Sequence, residues 1–225
     1  MCFIRKVFLF FLLTSCSTTQ DNPDPHREFN KDALEFNLIV DKNILKPVSS
    51  TYKKVTPDPV RESISNFLIN SKEPFFFLNY LITAEAENAA NSLFRFLINS
   101  TFGVLGFFDV GERIGLKKNE TSYKKTLKKL SIPTGDYLVL PVLGSSSTRD
   151  AIAEPISWFA NPVGYFIGFP YMFAMSVLSI IHERAENSTL LDSTIRDAIN
   201  IYAITRSLYL QKYGFPELDI DADSY

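Results

Sequence analysis

The sequence predicts a mostly α-helical fold with few or no strands, built from amphipathic and apolar helices. Apolar residues recur at three- and four-residue steps, which places them on one side of a helix. Later segments are apolar on nearly every side, which is typical of helices in a deep core or against lipid. The composition agrees, with 46% hydrophobic residues, 20 phenylalanines and a mean hydropathy of +0.02. We therefore expect apolar surface to remain exposed after folding.

The amino terminus has the pattern of a secretory signal peptide. Arg5 and Lys6 precede the apolar run 7–13, and small residues follow it. The positive charge keeps this end on the cytoplasmic side, and the run is too short to span a membrane. We predict a signal peptide over residues 1–15.

Cys16 follows these small residues directly and resembles the cysteine of a bacterial lipobox. The resemblance implies cleavage before Cys16 and a lipid anchor on its sulfur; the alternative is an ordinary signal peptide with a chance cysteine nearby. Ser17 replaces the aspartate typical of inner-membrane lipoproteins, which favours the outer membrane. Residues 16–25 are polar and contain prolines, as expected for the lipidated cysteine and a tether. Because Cys2 leaves with the signal, the mature chain can form no internal disulfide.

A helical domain is predicted over residues 26–215. Its first helix carries an apolar stripe, and we expect Pro47 to end it. A second helix should start at Asp58, a capping side chain followed by a proline. The first stripe comprises Phe29, Ala33, Phe36, Val40 and Ile44, with Asn30, Asn37 and Asp41 on the other side.

The middle of the chain changes character twice. Residues 75–82 and 89–98 are apolar without a clean polar side, and glycines at 103, 106 and 111 predict a loop between helices. Six lysines then crowd residues 117–130. This basic segment is either a solvated helix face or a contact for phosphate headgroups or an acidic partner protein.

The carboxyl-terminal half begins with one short extended stretch over 137–142, followed by a helix whose start is predicted at Ser147. Residues 155–181 carry no charge. Their length permits a membrane span, but internal prolines and glycines favour a bent hairpin lying in one leaflet. One closing helix should present Leu191, Ile195, Ala198, Ile199 and Tyr202 on a single face, ahead of an acidic tail over 216–225.

The sequence gives little support to catalysis. Its two histidines, His26 and His182, lack a zinc-binding context, so no metal site and no cofactor is predicted. The serines after Gly144 do not form the nucleophile motif of a hydrolase, and a turn or helix cap accounts for them. We therefore predict that the protein is not an enzyme. A net charge of −2 also argues against nucleic acid as a partner.

Several motifs resemble those of the MlaA family of phospholipid-binding lipoproteins, also called VacJ, and the resemblance covers nearly the whole mature chain. They include Glu28-Phe29-Asn30, Pro57-x-Pro59-x-Arg61 and Arg95-Phe96-Leu97-Ile98-Asn99-Ser100-Thr101-x-Gly103. The most specific is Gly135-x-Tyr137-x-Val139-Leu140-Pro141-x-x-Gly144-x-Ser146-x-x-Arg149-Asp150. The glycine-rich segment usual before the last motif is replaced by residues 128–134. That replacement leaves the gating of a channel open.

The resemblance implies a ring of helices embedded in the periplasmic leaflet of the outer membrane, around a polar channel. Members of this family remove phospholipids misplaced in the outer leaflet and pass them to a periplasmic lipid carrier, MlaC; trimeric porins hold them in place. The same function is expected here. The alternative is a structural envelope lipoprotein that scaffolds an outer-membrane complex without moving lipid.

Four polar residues are candidates for lining the channel or contacting a lipid headgroup. They lie in the matching motifs beside glycine or apolar segments: Asn99, Asp136, Arg149 and Asp150. Spacing alone does not separate this role from that of helix caps and turn hydrogen bonds.

Overall fold

The computed structural model describes residues 24–213. The predicted signal peptide, Cys16, most of the tether and the acidic tail lie outside the described residues. Within them the chain forms eleven α-helices and one two-stranded hairpin, which confirms the mostly helical fold. The elements are α1 (Arg27–Val40), α2 (Lys46–Val55), α3 (Asp58–Ile82), α4 (Ala86–Thr101), α5 (Val110–Arg113), α6 (Tyr123–Lys129), β1 (Tyr137–Leu140), β2 (Gly144–Ser147), α7 (Thr148–Ala160), α8 (Pro162–Ile167), α9 (Phe169–Glu186), α10 (Ser188–Asp197) and α11 (Ile201–Tyr213).

The predicted end of the first helix at Pro47 is wrong. A π-helical turn, Asp41–Leu45, joins α1 to α2, and the helical path continues to Val55. The Lys46 amide already donates to the carbonyl of Asp41, five residues back. Pro47, which follows Lys46, lacks an N–H, and its ring needs room against the preceding turn, which the wider π-helical turn provides. The proline is therefore accommodated rather than ending the helix.

Helices α3 and α4 form a long antiparallel hairpin joined by the three residues 83–85. Asp58 is the first helical residue, with Pro57 as the N-cap, so the helix begins where predicted but Asp58 caps no amide. Pro74 lies inside α3, and no separate helix starts there. The predicted glycine loop follows α4, and Gly106 has a φ of +96° while packed against Asn70, where a side chain would not fit.

The uncharged segment is bent, as predicted. It runs through α7, α8 and α9, with breaks at Asn161 and Gly168. Within residues 24–213, no helix is both long and apolar enough to cross a membrane. The predicted single closing helix is wrong, because extended backbone at Ala198 separates α10 from α11. Asn200 then caps the new helix by accepting from the Ala203 amide.

Strand β1 pairs with β2 in antiparallel register, Tyr137 opposite Ser147 and Leu140 opposite Gly144. The second strand was not predicted, because its glycine and serines are typical of turns. The predicted helix start is confirmed: the Ser147 hydroxyl accepts from the Asp150 amide at 3.2 Å.

Two asparagines of α1 complete the outer edge of β1. The Asn30 side-chain amide donates to the Tyr137 carbonyl at 2.9 Å and accepts from the Val139 amide at 2.8 Å. Asn37 bonds Leu140 and Val142 in the same way, at 3.0 and 2.6 Å. Seven helical residues rise ~10.5 Å and three strand residues rise ~10 Å, so the two spacings match. The helix thus takes the place of a third strand.

We expect Asn30→Ala to lower the free energy of unfolding by about 2–4 kcal/mol, because it leaves a buried carbonyl and a buried amide without partners. The measurement is thermal unfolding in detergent, followed by circular dichroism. Asn43→Ala is the matched control, since the exposed Asn43 bonds only its own helical stretch at Ile39. Equal stability of the two variants would contradict the edge-completing role.

Candidate functional site

Burial in this protein is inverted relative to a water-soluble domain. Among the described residues, 17 buried side chains are polar or charged and only 10 are hydrophobic. The same range exposes 36 large hydrophobic side chains. Soluble monomers rarely expose apolar patches of more than a few hundred Å². A polar interior inside an apolar exterior indicates surroundings of low polarity.

Helix α1 shows how the inversion arises. Phe29 and Phe36 of its apolar stripe face outward, with 54% and 46% of their surface exposed, whereas Asn30 is completely buried and Ala33 of the stripe is buried beside it. The predicted amphipathic pattern is present. Its polar side, however, provides the contacts with the rest of the fold.

The bent segment α7–α9 carries a group of exposed aromatic side chains. Six of them expose more than half of their surface: Trp158, Phe159, Tyr165, Phe169, Tyr171 and Phe173. Indole and phenol rings are enriched where hydrocarbon meets polar headgroups. This apolar exterior is the part of the structure best suited to contact lipid tails.

A buried charge network joins α3, α4 and the glycine loop. The Arg95 guanidinium donates to Glu73 at 2.9 Å and to Asp109 at 2.6 Å. It also donates to the carbonyl of Leu116 at 2.9 Å. Asn99 donates to Asp109 at 3.0 Å and accepts from the Gly111 amide at 2.7 Å. These bonds fix the loop between α4 and α5 against the helical hairpin.

Burial changes the proton affinity of this network. Burial raises the pKa of Glu73, and the nearby Arg95 offsets only part of the effect. Burial acts on Asp109 in the same direction, but its bonds to Arg95, the Glu112 amide and Asn99 outweigh it and lower the pKa of Asp109. Burial tends to lower the pKa of Arg95, whereas its two carboxylate partners raise it above the usual value. Arg95 therefore remains charged in the interior.

A second polar cluster lies below the β-hairpin and contains two predicted site residues. Asp150 is completely buried and accepts from Tyr209 and from Arg149, the latter at 2.7 Å. Arg149 also donates to the Ile132 carbonyl at 2.9 Å. Burial and this carboxylate partner raise the pKa of Tyr209, so the tyrosine stays a neutral donor.

The other two predicted site residues lie apart from each other. Asn99 belongs to the Arg95 network, whereas Asp136 lies at the hairpin, 3.5 Å from His26. Asp136 is also the most accessible of the four, with 37% of its side chain exposed. The structure groups Asp136, Arg149 and Asp150 around the hairpin and places Asn99 in the α3–α4 hairpin.

A third network fixes the π-helical turn. Arg184 of α9 donates to both carboxylate oxygens of Asp41 at 2.7 and 3.1 Å and to Asp192 at 2.6 Å. Lys46 lies 2.9 Å from the same Asp192. These ion pairs tie the kinked α1–α2 helix to α9 and α10.

Four residues of these networks were not among the predicted site residues: Glu73, Arg95, Asp109 and Arg184. Arg95 did carry a signal, since it is the single charge within the apolar run Leu93–Ile98, where an ionisable residue usually has a buried partner. The carboxylates gave no such signal, because they lie in loops or beside prolines. The described part of the chain holds no cluster of histidine, cysteine, aspartate or glutamate side chains suited to a metal ion.

Comparison with known proteins identifies the family. Residues 22–215 match the family model described as MlaA lipoprotein. The chain belongs to the MlaA lipoprotein family. The resemblance found in the sequence motifs is thereby confirmed.

Relatives of this MlaA family member fall into two groups. An uncharacterised protein of Rickettsia typhi is 31% identical over 185 residues, covering 82% of this chain and 74% of the relative. The intermembrane phospholipid transport system lipoprotein MlaA of Escherichia coli is 29% identical over 214 residues, covering 91% and 84%. A solved structure that explains the maintenance of bacterial outer membrane lipid asymmetry superimposes with a TM-score of 0.75 and 27% identity, covering 86% of this chain and 98% of that one.

We expect Arg95→Met to destabilise the fold by about 3–5 kcal/mol, because it leaves two carboxylates buried without their cation. Chemical unfolding of the purified chain measures the effect. Adding Glu73→Gln and Asp109→Asn should restore part of the stability, since both stranded charges are then removed. Arg196→Met, at the exposed pair with Asp197, is the control and should change little.

Acidification provides a further test, at His182. This side chain is buried, and the Tyr52 hydroxyl lies 3.0 Å from its Nδ1. Burial lowers the pKa of His182, helped by Arg61 and Lys72 and opposed by Glu186 and Glu183. The unfolded chain therefore binds this proton at a higher pH than the folded chain does. The stability that His182 contributes is complete above its ordinary pKa and is lost as the pH falls below it.

We expect the wild type to lose stability between about pH 7 and about pH 5 more steeply than His182→Gln. Denaturant midpoints measured across this pH range test the difference. Asn43→Ala, which alters an exposed side chain that does not titrate, is the control and should keep the wild-type slope. Parallel pH profiles for the wild type and His182→Gln would refute the assignment.

Proposed function

We propose that this protein is an outer-membrane lipoprotein that removes mislocalised phospholipids from the outer leaflet and passes them to a periplasmic carrier. The observation that carries the proposal is the polar interior within an apolar exterior. A lipid has the same division, since its headgroup needs polar partners and its tails need hydrocarbon. A charged headgroup crossing hydrocarbon without partners pays several kcal/mol, which polar side chains would offset.

The family supports this function, because three matched relatives carry the name of an intermembrane phospholipid transport lipoprotein. Such transport makes and breaks no covalent bond, and we propose that the protein is not an enzyme. His182, the buried one of the two histidines, is hydrogen-bonded to Tyr52.

The proposed position of the protein in the cell envelope follows from its amino-terminal sequence and its apolar exterior together. Residues 1–15 would direct export, and Cys16 would carry the lipid anchor at the start of the tether over 16–25. The domain over 26–215 would lie in the periplasmic leaflet of the outer membrane and would be followed by the acidic tail over 216–225. Bent helices with exposed aromatic residues suit this depth better than a crossing of the bilayer.

We keep Asn99, Asp136, Arg149 and Asp150 as proposed channel or headgroup residues. Asp136 has the accessible carboxylate of the four, which suits a direct contact with a headgroup amine. The other three are largely buried and hydrogen-bonded, which suits the support of a channel wall. The proposed partners are the periplasmic lipid carrier MlaC and a trimeric porin.

Deleting the gene should raise the phospholipid content of the outer leaflet, because misplaced lipid is no longer removed. Outer-leaflet phospholipid is measured by modification of lipid amines in intact cells. Wild-type copies should reverse the accumulation, whereas Cys16→Ala should not, since the domain loses its anchor. Ser15→Ala, which leaves the cysteine in place, is the matched control. Normal outer-leaflet lipid in the deletion strain would overturn the transport proposal in favour of a structural scaffold.

A further inference from the structure

One end of the molecule combines lysines from two separate segments. The segment after α5 returns to the amino-terminal part of α4: the Lys117 carbonyl accepts from Asn91 at 2.5 Å, and Asn119 donates to Asn88 at 2.8 Å. These bonds hold Lys117 and its neighbour Lys118 beside the α3–α4 turn, with both side chains exposed.

The second segment reaches the same turn from α6. The Lys129 ammonium lies 2.6 Å from the Glu85 carboxylate, and Glu85 belongs to the three-residue connection between α3 and α4. Lys128 is exposed next to it and donates to the Lys212 carbonyl at 3.3 Å. We call the surface formed by residues 81–91, 117–119 and 128–132 the basic rim.

The basic rim has positive charge in excess. Lys117, Lys118 and Lys128 form no ion pair with any of the residues 24–213, while Lys129 neutralises Glu85. Glu87 is the other carboxylate in the rim, and Glu120 lies just beyond it. An unmatched set of ammonium groups on a neutral-to-acidic chain indicates an anionic partner.

Exposed apolar side chains share the basic rim with these lysines. Leu81 and Ile82 end α3 with 52% and 59% of their surface exposed, and Leu130 and Ile132 expose 45% and 41%. A purely solvated lysine face would not combine with four exposed aliphatic side chains. Lysine stems lie along apolar surface while their ammonium groups reach a polar boundary.

We propose that the basic rim binds anionic phospholipid headgroups of the leaflet around the protein, with its aliphatic side chains at the level of the first methylene groups. The inference rests on the proposed membrane location. It concerns the surrounding lipid and not the lipid that is transported. Lysines near a charged membrane surface each add to the attraction, and salt screens it.

The test uses the full chain purified in dodecyl maltoside and mixed with micelles that contain equal amounts of phosphatidylglycerol and phosphatidylcholine. Mass spectrometry gives the ratio of the two lipids that remain with the recovered protein. We expect the wild type to enrich phosphatidylglycerol at least about threefold. The enrichment should fall toward the input ratio in about 0.5 M NaCl.

The triple variant Lys117→Gln/Lys118→Gln/Lys128→Gln should retain the two lipids near their input ratio. The variant Lys31→Gln/Lys42→Gln/Lys54→Gln is the matched control, because it removes three exposed lysines of α1, the π-helical turn and α2 and should keep the wild-type ratio. If the rim variant does not fold, as judged by circular dichroism, Lys117→Gln/Lys118→Gln, which leaves α6 unchanged, is compared with Lys31→Gln/Lys42→Gln in its place.

Two results would overturn the proposal. Equal losses in both triple variants would mean that overall charge, and not the rim, selects the lipid. No enrichment by the wild type, together with cross-links from residues 117–132 to an acidic protein in cells, would assign the rim to a protein partner. The two proposals can fail separately. If the wild type enriches phosphatidylglycerol while the deletion strain has normal outer-leaflet lipid, lipid binding by the basic rim is supported and the transport proposal is overturned.

Discussion

The rest of the structure depends on hydrogen bonds and ion pairs among polar side chains that are buried in the interior. Arg95 shows the constraint most clearly, because its guanidinium has three protein acceptors and almost no exposed surface. Removing water from a charged group is costly, so each buried charge requires partners placed within about 3 Å. That requirement fixes the distance between α3 and α4 and the path of the loop that supplies Asp109.

The same constraint explains the irregular helices. Asp41 must reach Arg184, and the π-helical turn at Asp41–Leu45 supplies the carboxylate while making room for Pro47. The asparagines of α1 must reach the edge of β1, and their seven-residue spacing matches three residues of strand. Polar contacts hold together an assembly in which hydrophobic burial in the interior is sparse, with separate small clusters around Tyr137 and Phe76.

The exterior follows from the interior. Once the polar sides of the helices face inward, the apolar sides must face out, and the bent α7–α9 segment carries most of the aromatic surface. Such an exterior is stable in hydrocarbon, where apolar contacts with lipid replace apolar contacts within a core. At the basic rim, exposed aliphatic side chains lie beside lysine ammonium groups that have no ion-pair partner. This combination suits the boundary between the hydrocarbon and the lipid headgroups.

The sequence by itself determined the helical class, the family motifs, the glycine loop, the helix start at Ser147 and the bend of residues 155–181. Each of these depends on neighbours close in the chain, through periodicity, capping or the conformational limits of glycine and proline. Two predicted boundaries, at Pro47 and within the closing helix, failed because packing against distant elements outweighed the local preference. Strand β2 was missed for the same reason, since glycine and serine become a strand only beside β1.

Only the tertiary structure decided which side of each helix is the inside. A periodic apolar stripe has the same sequence pattern whether it packs against a protein core or against lipid. The roles of Glu73, Asp109 and Arg184 follow only from the ion pairs that they form in the fold. The candidate residues illustrate the division: motif matching selected Asn99 and Asp150, but hydrogen bonds to Asp109 and Tyr209 assign each to a different network. Those partners are 10 and 59 residues away in the chain, a separation that no local pattern reports.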